Sequence, residues 1–129
     1  MSEKSRKSER TILIYGLSGK QMLSLAMAAK EAGIRCRAVA DTETCLTVSQ
    51  LLSGEELPPC APLPLTGKYA LLDGFDGNLG EAASLINHAS YGVIKAIRTD
   101  KNSSWRFADL CYAIQQEQDA IAAMQKEKK

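Results

Sequence analysis

Neither sign of charge dominates this chain: 16 Lys and Arg stand against 15 Asp and Glu, a formal net charge of +1 at pH 7. Nucleic acid and anionic membrane surfaces therefore have no general electrostatic pull to exploit, and neither is expected as a partner. The sequence also lacks any apolar run near the ~20 residues that a membrane-spanning helix needs. No apolar segment of signal-peptide type follows the charged, serine-rich residues 1–10, so a cytoplasmic location is expected. Cysteine occurs only at Cys36, Cys45, Cys60 and Cys111, separated by 9, 15 and 51 positions. None forms a CxxC pair, and zinc or thioredoxin-type chemistry loses its spacing support. Cys36 and Cys111 sit in apolar patterns and read as small hydrophobes; all four are expected to be structural, with Cys60, among prolines, the one open to oxidants. Histidine is nearly absent too. His88 stands alone, opposite the apolar stripe of its predicted helix, and no Ser, Cys or Asp has a spacing to it that suggests a triad. General acid–base catalysis has no natural owner.

What is present is a pattern stated twice. Residues 12–20, Ile-Leu-Ile-Tyr-Gly-Leu-Ser-Gly-Lys, read as a buried strand that turns through two glycines into a helix. Residues 70–78, Ala-Leu-Leu-Asp-Gly-Phe-Asp-Gly-Asn, repeat that pattern 58 positions later. The helix after the first strand places Met22, Leu25, Ala26 and Ala29 on one face, with Leu23 and Met27 widening the stripe, and Gly33 ends it as a left-handed cap. Its counterpart carries Leu79, Ala82, Ala83 and Ile86. Each helix is followed by an alternating, charged segment, residues 35–40 and 93–98, suited to an edge strand. Lys95-Ala96-Ile97 sits at the same offset of 58 from Arg37-Ala38-Val39. A short helix after Thr44 and a long one from Ser103 or Ser104, with Phe107, Leu110, Cys111, Ile114 and Ile121 as its stripe, complete the halves.

The expected fold class is therefore α/β: two βαβα halves, residues 11–52 and 69–122, forming one four-stranded, mainly parallel sheet of order 2-1-3-4 with helices on both faces. Whether the halves join parallel or antiparallel at the centre is open at this point. A connector, residues 53–68, holds all four prolines, Pro58, Pro59, Pro62 and Pro64, which excludes helix and central strand. Residues 1–10 and 123–129 are expected to be a mobile tail and a frayed basic end.

The second half has a turn Thr99-x-x-Asn102-x-x-Trp105 and a helix running to Gln116-Glu117. With these residues it resembles a family of small bacterial proteins, domain-of-unknown-function family 3783, over residues 69–122 and more loosely over 12–40. The resemblance implies a cytoplasmic bacterial α/β domain. It brings no activity, cofactor or catalytic residue with it.

Three candidate sites follow from the residues. Gly16-Leu17-Ser18-Gly19-Lys20 lies where a helix N-terminus offers free amides to an anion or nucleotide phosphate. It is not a Walker A loop: GxxxxGK[ST] needs two more residues between the glycines, and Gln21 stands where a hydroxyl would hold magnesium. Ser18-x-x-Gln21 is also a capping box, so architecture alone explains much of the turn. A second cluster would gather at the carboxyl ends of parallel strands: Ser18, Lys20, Asp41, Glu43, Asp73, Asp76, Asp100, Lys101 and Asn102, with Asp73 and Asp76 as a two-carboxylate pair for a divalent ion. Asp favours turns and helix starts for its own hydrogen bonds, and no metal is expected. Asn102 and Trp105 form the third, with Trp105 either packed against the sheet or offered as a partner anchor. The functional expectation is a non-catalytic protein-interaction or regulatory module, acting on an unknown protein partner or by self-association and without a cofactor. The alternative is a small-anion or nucleotide-binding domain at residues 16–20.

Overall fold

A computed structural model gives the fold and describes residues 10–54, 58, 60–75 and 79–127, with side chains to residue 125. The expected tail over residues 1–9, the cap Asp76 and the turn residue Asn78 lie outside the described residues. Strand β1 (Arg10–Tyr15) leads into helix α1 (Gly19–Glu31) and strand β2 (Ile34–Ala38). A 3-10 turn (Asp41–Glu43) and helix α2 (Val48–Ser53) end the first half. The second half runs β3 (Lys68–Asp73), α3 (Leu79–Ala89), β4 (Val93–Ile97), a 3-10 turn (Asn102–Ser104) and α4 (Phe107–Glu127). Among the described residues no helix is long and apolar enough to cross a membrane.

The four strands form one sheet in the order β2-β1-β3-β4. The two strands with continuous apolar runs, β1 and β3, occupy the centre with four successive buried residues each. Within each half the crossover makes the strands parallel, Leu13 beside Arg37 and Leu71 beside Ala96. The centre is antiparallel: Thr11 lies opposite Asp73 and Tyr15 opposite Tyr69. The sheet is mixed, which corrects the expectation of a mainly parallel one. The change of direction lies in the connector: β3 starts beside the end of β1, where the Gly67 carbonyl approaches Gly16.

The second edge strand is one residue out of the expected register. Leu71 stands 58 positions after Leu13, but their partners Ala96 and Arg37 are 59 apart, so one extra residue lies between β3 and β4. Leu13 faces Leu71 across the central pairing, and Thr47 bridges Arg106. There the Val48 amide donates to the Trp105 carbonyl (2.9 Å) and the Phe107 amide to the Leu46 carbonyl (2.8 Å).

Alternation along the central strands divides the core in two. Ile12, Ile14, Ala70 and Leu72 face α1 and α3, meeting Leu25, Ala29, Ala82 and Ile86. Leu13, Tyr69 and Leu71 face α2 and α4, meeting Val48, Leu51, Phe107, Leu110 and Cys111. Some sequence expectations fail at the rims of these layers. Leu23 and Met27 are each 62% exposed, outside the stripe they were expected to widen. Thr44 is wholly buried and does not cap; Thr47 does, in a reciprocal box with Gln50. Arg10, expected in the tail, opens β1 and pairs with Ile34, while α4 continues past residue 122 to Glu127. One covalent feature had no spacing signal: Cys45 and Cys60 form a disulfide.

Candidate functional site

The turn after β1 is built around two constraints. Gly16 has φ +98°, and a β-carbon there would lie 2.6 Å from the Gly67 carbonyl oxygen, so the close approach of the connector demands glycine. Ser18 is the helix cap: the Gln21 amide donates to its Oγ (3.2 Å) and its own amide donates to Gln21 Oε1 (3.0 Å). The first-turn donor and the cap amide are thus occupied by protein groups. Gly19 and Lys20 are exposed, and the space around Gly19 is open.

The expected common rim does not assemble. Because β1 and β3 run in opposite directions, Ser18, Lys20, Asp41 and Glu43 lie at one end of the sheet and Asp73, Asp100, Lys101 and Asn102 at the other, roughly a strand length apart. Several of these groups are already engaged by other side chains. Tyr15 donates its hydroxyl to Asp41 Oδ1, and that bond, before burial, pushes the phenol up to about 12, since a phenolate there would face the carboxylate. Arg37 donates to the Leu51 carbonyl and, at 2.7 Å, to Glu43. Arg98 Nε donates to Asp73 at 2.6 Å and its Nη1 to Ser103 Oγ at 2.8 Å; the Asp73 bond leads the causes that raise the guanidinium's pKa. Asp73 is thereby committed to an ion pair, and its intended partner Asp76 lies outside the described residues.

Asn102 is buried and ties the last turn. The Thr99 amide donates to its Oδ1 (2.8 Å), its own amide donates to Thr99 Oγ1 (3.1 Å), and its Nδ2 donates to the Ile97 carbonyl (3.0 Å). Trp105 is partly buried against the layer of Leu13 and Phe107, and one side of it lines an open depression of about 560 Å³ with Ser104, Arg106, Asp109 and Ala113. His88 is exposed on α3, as expected.

A surface that sequence reading did not single out lies at the β4 edge. Gly92, Val93, Ile94 and Lys95 form one wall of a half-open groove of about 420 Å³, and Ile114, Glu117, Gln118 and Ile121 of α4 form the other. Large apolar side chains stand exposed on and around these elements: Tyr91 (88%), Ile97 (51%), Ile121 (49%) and Met124 (59%). The Arg98 amide donates to the Leu72 carbonyl, so by alternation residues 94 and 96 turn their amides inward, and 93, 95 and 97 turn theirs to the open edge. Lys95 Nζ reaches Asn87 Oδ1 (2.8 Å) and the Val93 carbonyl (3.1 Å) at mid-strand, and burial lowers its pKa. The other edge is guarded: β2 carries Arg35 and Arg37, the latter anchored over α2. The only sequence signal for this asymmetry was β4's single charge against two on β2. Comparison with family models, with curated proteins and with solved structures gave no match.

Proposed function

We propose that this chain is a non-catalytic interaction module of a cytoplasmic bacterial protein, and that it receives an extended segment of a partner protein as a fifth strand along β4. The observation that carries the reading is the open β4 edge with its groove against Ile114 and Ile121 of α4, and with Tyr91 and Ile97 exposed at the two ends of the strand. Strand addition takes its affinity from main-chain hydrogen bonds and its specificity from alternate side chains. Lys95 at the middle of the edge favours an acidic residue opposite it, between apolar residues that cover Val93 and Ile97. The same lysine argues against a second copy: two-fold antiparallel pairing over all of β4 would set Lys95 against Lys95. Membership of domain-of-unknown-function family 3783, on the Thr99, Asn102 and Trp105 motif, belongs to this proposal, as does descent of the two halves from one duplicated unit.

The test is a display library of ten-residue peptides panned on the folded chain, with amide shifts mapped for any binder. Perturbations centred on residues 93–97, lost in Val93→Pro, support the reading. Binders that perturb only Trp105 and its depression, or none after exhaustive panning, overturn it. Gly19 and Lys20, open at the end of the α1 turn, keep anion or nucleotide binding as a second reading. It predicts a rise in melting temperature with millimolar phosphate or ATP that Lys20→Ala abolishes.

A further inference from the structure

We infer that the Cys45–Cys60 disulfide is a redox-sensitive clasp, which holds residues 60–65 as a strap over the first half and is opened by a dithiol reductant. The cysteine α-carbons are 6.3 Å apart, within the span that a disulfide bridges. Around that bond the strap has few other holds on this half. The Cys60 amide donates to the Thr42 carbonyl (3.0 Å), and the Leu63 amide donates to Thr44 Oγ1 (2.9 Å). At its far end the Tyr112 hydroxyl donates to the Pro64 carbonyl (2.7 Å), and Leu65 packs on the α2–α4 layer. Proline removes the amide at positions 62 and 64, so no ladder of backbone bonds can take over if the covalent tie is cut. Beneath the strap, Thr44 is fully buried, its hydroxyl donating to the Asp41 carbonyl (2.9 Å) while accepting from Leu63. Both sulfur-bearing residues are partly exposed, which a reductant's thiolate needs.

The other two cysteines do not compete for this chemistry. Cys111 is buried and Cys36 more than half so, and burial raises both thiols, Cys36 to about 11. In the exchange one thiolate of the dithiol attacks one sulfur of the clasp, forming a mixed disulfide and releasing the other cysteine as a thiolate. The second thiol of the reductant then closes on the first. The net change is one protein disulfide reduced to two thiols and one dithiol oxidised to its own disulfide. The strap is left held by its hydrogen bonds and the packing of Leu65, and Thr44 and the edge of the α2–α4 layer become accessible.

Amide hydrogen exchange on the full chain, with and without dithiothreitol, tests the clasp. Reduction is expected to accelerate exchange of the Cys60 and Leu63 amides by about tenfold or more beyond any acceleration of the β1 and β3 amides, which follow the global stability alone. The double variant Cys45→Ser with Cys60→Ser should behave as the reduced chain and ignore the reductant. Quantifying thiols in denatured, unreduced protein should find two, Cys36 and Cys111. Four thiols, unchanged exchange on reduction, or an acceleration equal at the strap and at the central strands would each overturn the inference.

Discussion

Tyr15 ends the central strand with its hydroxyl on Asp41, and its raised pKa has a direction that can be read in stability. The folded chain keeps the phenol protonated to about pH 12, whereas the unfolded chain releases the proton near 10.0. A raised folded pKa contributes stability that is complete below the unfolded value and lost as pH rises through the folded one. Tyr69 is shifted upward as well, first by burial. Urea midpoints should therefore fall between about pH 10 and 12. Tyr15→Phe should flatten that fall without removing it. At Asn102, removal of the side chain strands the Thr99 amide and the Ile97 carbonyl, and Asn102→Ala should cost about 1–3 kcal/mol. Trp105→Ala should cost about 2–3 kcal/mol through lost packing. If Trp105→Ala leaves both stability and peptide binding untouched, neither role assigned to it survives. The cap Ser18-x-x-Gln21 was legible because a hydrogen bond over three residues leaves its spacing in the chain. Yet Thr47-x-x-Gln50 has the same spacing and caps in place of the expected Thr44, so spacing alone does not say which hydroxyl caps. The disulfide was not legible, because its partners meet only through the path of the connector.

Helices and strands were readable from periodicity, and the exceptions share a cause. A stripe reports which side of a helix faces inward but not where the sheet beneath it stops. Helix α4 has 21 residues and is about 31 Å long, against about 17–20 Å for the strands it crosses. Ile121 follows the stripe of Phe107, Leu110 and Ile114 in sequence yet hangs beyond the layer, half exposed. Leu23 and Met27 fail likewise: α1 packs one flank on the sheet and another on α3, and these two residues project from the remaining side. The double variant Ile121→Ser with Met124→Ser should therefore change stability by less than about 0.5 kcal/mol, as surface substitutions do. Peptide capture at the β4 groove should weaken at least severalfold in the same variant, measured by titration calorimetry. A large loss of stability would mean that the free end of α4 is part of the core, and the groove argument would fall with it.

Across the whole molecule, strand order was legible and strand direction was not. Burial sorts strands: continuous apolar runs go to the centre and charged alternation to the edges, which yields 2-1-3-4 without knowledge of direction. Direction depends on where the connector lets the chain re-enter, and the re-entry point beside Gly16 is a tertiary fact. The same fact dismantled the common rim of acidic residues, since a rim of carboxyl ends exists only when the central strands agree in direction. The connector is consequently the element on which the join of the halves depends, and its disulfide should carry measurable stability. Closing a loop between cysteines 15 residues apart lowers the entropy of the unfolded chain by about 3 kcal/mol equivalent at 25 °C. Cys45→Ser, Cys60→Ser and the double variant should each lose about that amount in urea unfolding, because any one of them removes the same tie. Reduced wild type should match all three. A single variant far less stable than the double would locate the effect in packing around that sulfur. Equal stability of oxidised and reduced chains would mean that hydrogen bonds and Leu65 hold the connector unaided.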